Sequence, residues 1–191
     1  MSKAVMLSIR PKWVEKIASG EKTIEVRKTR PKLKTPFKAY LYVTAGNLSY
    51  RCPNGMICHC NGGRAVIGEF VCNKVDWITQ IGFSGSPVPL MYSICSHSNM
   101  NVLPINDLLY AARLTYPELA DYLAGGAGYG WHISDLLIYD QPRKLTEFRR
   151  CCPNDLCCEA CAMYSNNGGI CNNGALPLRR PPQSWCYVEV C

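Results

Sequence analysis

A chain of 191 residues, 48% hydrophobic and 18% charged, is long enough to close a core and too apolar to remain disordered. No run approaches the roughly eighteen apolar residues that a membrane-spanning helix needs. The net charge of +7 is held unevenly, with eleven of the 21 bases in the first 38 residues against three acids. Such a basic pole concentrates polyanions, so nucleic acid or a phosphorylated ligand is the expected partner, and no membrane. A solvated face that keeps the protein soluble is the plainer alternative. The first ten residues are too short and too alternating for a signal-peptide core, which sets the expectation of a cytoplasmic protein.

Residues 3–10 alternate Val5, Leu7 and Ile9 with Met6, Ser8 and Arg10, the pattern of a first strand. Pro11 opens a short helix with an apolar stripe through Trp13, Val14, Ile17 and Ala18, and Gly20 supplies its left-handed stop. Alternation returns over 22–28, followed by an exposed basic loop broken by Pro31 and Pro36 and a strand over 37–44. Residues 45–63 are rich in Gly, Asn, Pro and Cys and read as a loop. A long strand is predicted over 64–79, and a Ser-, Gly-, Pro- and Asn-rich flexible insertion over 82–101. Helices follow over 105–113 and 117–123, the second ended by Gly125 and Gly126. Strands at 129–139 and 184–190 flank a Cys-rich excursion over 150–180.

Strands outnumber helices, and the helix of the first strand-helix-strand unit is short for a parallel crossover. The fold class expected is α+β, mainly β: a small mixed β-barrel with short helices over its openings. Residues 1–149 and 181–191 form the barrel, and 150–180 an insertion.

The thirteen cysteines have no disulfide context under a cytosolic reading, so reduced thiols are expected. Cys158-x-x-Cys161 has the spacing with which a tight turn chelates one tetrahedral ion, and Cys152 and Cys171 can complete four ligands. Cys151 or Cys157 can replace a neighbour, and Cys52, Cys58, His59 and Cys60 make a looser second group. About thirty polar residues cannot build a core, so a structural zinc is the expected cofactor, with an iron–sulfur cluster as the alternative. Surface thiols without metal are the bland reading.

Within 65–72 every side chain is apolar or small except Glu69. A carboxylate in such a strand needs a partner, and Lys22, Glu25 and Arg27 are the nearest charged candidates in the chain pattern. These opposed charges make either a structural ion-pair network or a ligand site.

The segment Gly20-Glu21-Lys22-Thr23-Ile24-Glu25-Val26-Arg27 resembles the G-x-K-x-x-E-x-R signature of the ASCH domain, a member of the PUA-like superfamily. A helix precedes the motif, a strand runs through it, and Ile67-Gly68-Glu69-Phe70 resembles the strand that faces it. The resemblance implies a cleft at the barrel mouth where Lys22, Glu25, Arg27 and Glu69 converge to bind RNA or a modified nucleotide. A branch of the family hydrolyses the acetyl amide of acetylated cytidine with a Lys, a Thr and a Glu. Lys22 and Glu69 match the first and last, but Glu25 stands at the Thr position, so that hydroxyl is absent.

Arg27 offers a planar fork and Lys22 a point charge for a phosphate or base carbonyl. Tyr129, between Gly128 and Gly130, is the aromatic expected to face a ligand; Trp13, Tyr42 and Trp131 are expected in the core, and His132 as a satisfied core histidine. Three functions follow. The first is RNA or nucleotide binding through Lys22, Glu25, Arg27, Glu69 and Tyr129. The second is a nucleoside amidohydrolase or RNA-processing enzyme with Lys22, Glu25 and Glu69 as its catalytic groups. The third is a zinc-stabilised interaction protein whose charges are structural.

Overall fold

In a computed structural model, described here for residues 3–51, 55–81, 91–95, 102–151 and 177–189, the alternating segments become strands and the apolar-striped ones helices. The order is β1 (Lys3–Ile9), α1 (Pro11–Ala18), β2 (Ile24–Arg27), β3 (Phe37–Val43), β4 (Leu48–Arg51), β5 (Ile57–Cys60), β6 (Ala65–Ile81), β7 (Met91–Cys95), β8 (Val102–Leu103), α2 (Asn106–Ala112), α3 (Tyr116–Leu123), β9 (Gly128–Lys144) and β10 (Trp185–Glu189). None of the described helices is long and apolar enough to cross a membrane. The chain divides into two compact units, and β6 and β9 each contribute to both.

The first unit comprises residues 1–15, 37–70 and 136–191. Here β1 pairs parallel with β3 and antiparallel with β10. Every residue of β1 after Lys3 is buried, both faces being covered, so the expected in–out alternation is not realised. Even Ser8 is buried, and its hydroxyl donates to the Pro182 carbonyl at 2.7 Å. The core gathers Ala4, Met6, Tyr40, Tyr42, Val66, Phe148 and Val188, with Tyr40 and Phe148 packed edge to face at 4.8 Å. Gly68 interrupts β6 because β9 lies against it: a Cβ there would stand 2.4 Å from the Leu137 carbonyl oxygen.

The second unit comprises residues 16–36 and 71–135. Its core is Ile24 and Val26 from β2, Ile78 from β6, Tyr92 and Ile94 from β7, and the buried faces of α2 and α3. Helix α3 begins with a capping box in which Thr115 and Glu118 each bond the other's backbone N–H. It ends at Ala124, whose φ of 51° is left-handed.

Four expectations need correction. Residues 45–63 are not only loop: β4 and β5 pair antiparallel there, from Leu48 opposite Cys60 to Arg51 opposite Ile57. The insertion after 81 holds β7, which pairs antiparallel with β6. Strand pairing follows an open path, β10-β1-β3-β6-β7-β8, with β2 joined to β6 through β9. No closed barrel forms among the described residues, because the path ends in the two-residue β8 on one side and β10 on the other. Cys58 is disulfide-bonded, against the expectation of reduced thiols, whereas Cys60 and Cys72 are free and buried.

Candidate nucleic-acid interface

Strand β2 is short and wholly buried, and it pairs antiparallel with β9, setting Glu25 opposite Trp131 and Arg27 opposite Tyr129. Ile24 and Val26 enter the core of the second unit, which turns Glu25 and Arg27 to the other face. Lys22 lies two residues before the strand and joins them. Its ammonium is 3.3 Å from one Glu25 oxygen, and the Arg27 guanidinium is 3.0 Å from the other. All three are nearly closed to solvent, at 2%, 6% and 8% exposure.

Lys22 also donates to the Ala112 carbonyl at 2.6 Å, and the Thr23 N–H donates to the Ala111 carbonyl at 2.9 Å. Those carbonyls close the C-terminus of α2, where backbone acceptors have no helical donor and the dipole favours a cation. Burial pushes the Lys22 ammonium below its ordinary pKa, and the attraction and hydrogen bond of Glu25 only partly restore it. The trio carries two cations against one carboxylate.

Beyond Arg27 the chain leaves the strand as a cationic loop. Lys28, Arg30, Lys32 and Lys34 are exposed, and from Val26 to Gly68 the sequence has no acid at all. Lys28 lies over the Tyr122 ring at 5.4 Å, and Arg30 over Tyr129 at 5.8 Å. Residues 30–35, with Val75, line an open hollow of about 490 Å³. Tyr129 is half-buried; Tyr42 and Trp131 are core, whereas Trp13, expected there too, is only half-buried.

Glu69 belongs to the first unit, and its partners differ from those expected. Lys38 on β3 donates to one oxygen at 2.7 Å and the Tyr139 hydroxyl to the other at 2.7 Å. Burial would raise this carboxyl, but the two hydrogen bonds outweigh it and hold the group below its ordinary value. Lys38, rather than Lys22 or Arg27, supplies the cation. Alternation along β6 identifies a charged inward residue without saying which neighbouring strand carries its counter-charge.

A second carboxylate, Asp76, joins no motif in the sequence. It is buried at 8% exposure between His132 Nε2 at 2.6 Å and Lys74 Nζ at 2.8 Å. The alternation of Lys74 and Asp76 along β6 is the signal that could have found it. His132 is thus satisfied, as expected, but half-buried rather than core. Cys152, Cys158, Cys161 and Cys171 lie outside the described residues, and among the described ones no group of three His, Cys, Asp or Glu is arranged to hold a metal.

Residues 7–70 match the family model of the ASCH domain. The match runs from β1 through the first residues of β6, and so includes the Lys22–Arg27 segment and Glu69. The crystal structure of ASCH from Zymomonas mobilis is similar to this chain, with a TM-score of 0.52 and 16% identity, covering 97% of this chain and 87% of that one. Crystal structures of two mutant proteins of the same organism's ASCH each give 0.51 at 16% identity, over 98% and 97% of this chain and 91% and 88% of theirs. At that identity the likeness concerns the fold: mainly β, mixed with short helices. No curated protein matches the chain. The ASCH domain is a PUA-like fold often linked to RNA binding.

Proposed function

We propose that this protein, similar to the ASCH domain over residues 7–70, binds RNA, or a modified nucleotide within it, through the second unit. The observation that carries the reading is the adjacency of the exposed cations of residues 28–34 to half-buried Tyr129, next to the buried Lys22–Glu25–Arg27 trio. Cations without interspersed acids track a phosphate backbone, and an aromatic face beside them can stack a base for about 1–3 kcal/mol. The trio fixes the exit of β2 from which the loop starts, so its role is to position the loop as much as to touch ligand. Glu25 spends both oxygens on Lys22 and Arg27, which favours binding over hydrolysis.

The test is titration of a short single-stranded RNA over a range of salt with the full chain and with Arg30→Ala/Lys32→Ala/Lys34→Ala. Loss of three phosphate contacts should make the slope of log K against log salt shallower by about 2. Unchanged affinity and slope in the triple variant would overturn the reading. Release of a product from acetylated cytidine would favour the hydrolase alternative instead.

A further inference from the structure

The first unit holds an open hollow of about 530 Å³, within the range of roughly 300–1,000 Å³ common for small-molecule sites. Four of its lining residues are cations (Arg64, Arg143, Lys144 and Arg179) and none is acidic. They come from three separate parts of the chain, outside the amino-terminal basic pole. The rest of the lining is largely apolar: Tyr42 and Leu145, both buried, and exposed Pro142 and Pro181. We propose that this hollow is a nucleotide site, in which the arginines take the phosphate and the Tyr42–proline surface takes the base or ribose.

The backbone that carries Arg64 and the guanidinium of Arg143 are held in place before any ligand arrives. Arg64 has a φ of 63°, a left-handed conformation uncommon for a residue with a side chain. It follows Gly62 and Gly63 at 79° and 61°, and a Cβ on Gly63 would fall 2.1 Å from the Thr44 carbonyl oxygen. The Arg64 N–H then donates to the Val43 carbonyl at 2.8 Å, so the turn is pinned to the end of β3. Arg64 and Tyr42 line the same hollow. Arg143 donates from Nε to Glu147 at 3.0 Å and lies 4.6 Å over the Phe148 ring, which fixes its plane.

Arg179 adjoins buried Leu178, whose N–H donates to the Phe148 carbonyl at 2.7 Å. Guanidinium forks match phosphate oxygens in pairs, and a site already ordered loses less entropy on binding. Glu147 is already paired with Arg143, so a cationic ligand meets a net positive lining. A bare anion would leave the apolar half of the hollow uncovered, which is why a nucleotide fits better than orthophosphate.

The site lies in the first unit alone and does not rest on the loop reading of the second. Calorimetric titration of the full chain with 5′-AMP, adenosine and inorganic phosphate at low salt tests it. The expected result is AMP binding that weakens at least tenfold in Arg64→Ala/Arg179→Ala, with adenosine and orthophosphate each at least tenfold weaker than AMP on the unmodified chain. Arg64→Gly is the companion variant, because glycine suits the left-handed turn and removes only the side chain; it should keep its melting temperature and still lose AMP affinity.

Arg30→Ala/Lys32→Ala/Lys34→Ala should bind AMP as the unmodified chain does, even while its RNA affinity falls. Equal AMP affinity in the Arg64 variants, adenosine or orthophosphate binding as tightly as AMP, no AMP binding, or loss of AMP only in the loop variant would each overturn the proposal.

Discussion

Lys22 shows how one residue of the family signature can be structural and electrostatic at once. Its ammonium is nearly closed to water, yet it joins Glu25 to the last carbonyl of α2. Removing one member of a buried charged set typically costs about 3–5 kcal/mol, chiefly by leaving its partner uncompensated. Glu25 keeps Arg27, so Lys22→Ala should cost less, about 2–3 kcal/mol, read as a lower midpoint in urea. A change under about 0.5 kcal/mol would mean the contacts contribute little. The same side chain predicts a pH effect. Its folded pKa is below its ordinary 10.5, so between the two values the unfolded chain binds the extra proton. Stability should therefore rise as pH climbs through that window, and Lys22→Met should lose this gain.

At the scale of elements, legibility follows periodicity. The helices over 106–112 and 116–123 and the strands β6 and β9 lie where spacing of apolar residues places them, because burial on a defined face writes itself into that spacing, whereas β1 and β3 are apolar strands buried on both faces. The β4–β5 hairpin escapes such a reading because its strands are four residues each and sit among Gly, Asn, Pro and Cys, whose local preferences indicate loop. Strand β7 escapes it for a similar reason: its pairing with β6 is long-range, and its surroundings have loop composition. The end of α3 offers a test of turn chemistry. Gly125 and Gly126 read as the stop, but the left-handed residue that closes the helix is exposed Ala124, with Gly125 following at φ 81°. An alanine there bears a Cβ penalty that glycine does not, so Ala124→Gly should stabilise by about 0.5–1 kcal/mol. For a chain of this length that corresponds to a rise in melting temperature of about 1–4 °C, and a fall would show that flexibility gained by the unfolded chain outweighs the relief.

For the molecule as a whole, net charge says less than placement. Beyond residue 38 the sequence is nearly neutral, yet folding brings Arg64, Arg143, Lys144 and Arg179 around one hollow, a grouping that no short linear window contains. The motif resemblance likewise groups Glu69 with Lys22 and Arg27, whereas β3 delivers Lys38 to it. The two units have parallel electrostatic keystones: Glu69 in the first and Asp76 in the second, each tied to a cation and to a second donor.

For both, burial opposes the charge, but the hydrogen bonds prevail and the folded pKa falls below the ordinary 4.5 and 3.8. Above those ordinary values both states are ionised, and the stabilisation is present in full. As pH drops below them, the unfolded chain takes up protons first, and the contribution drains away until the folded groups are protonated too. The urea midpoint should therefore be insensitive to these groups above about pH 5 and decline on further acidification. Glu69→Gln/Asp76→Asn should begin lower at neutral pH and decline less steeply below it. An acid limb as steep in the double variant as in the unmodified chain would show that other carboxylates govern acid unfolding.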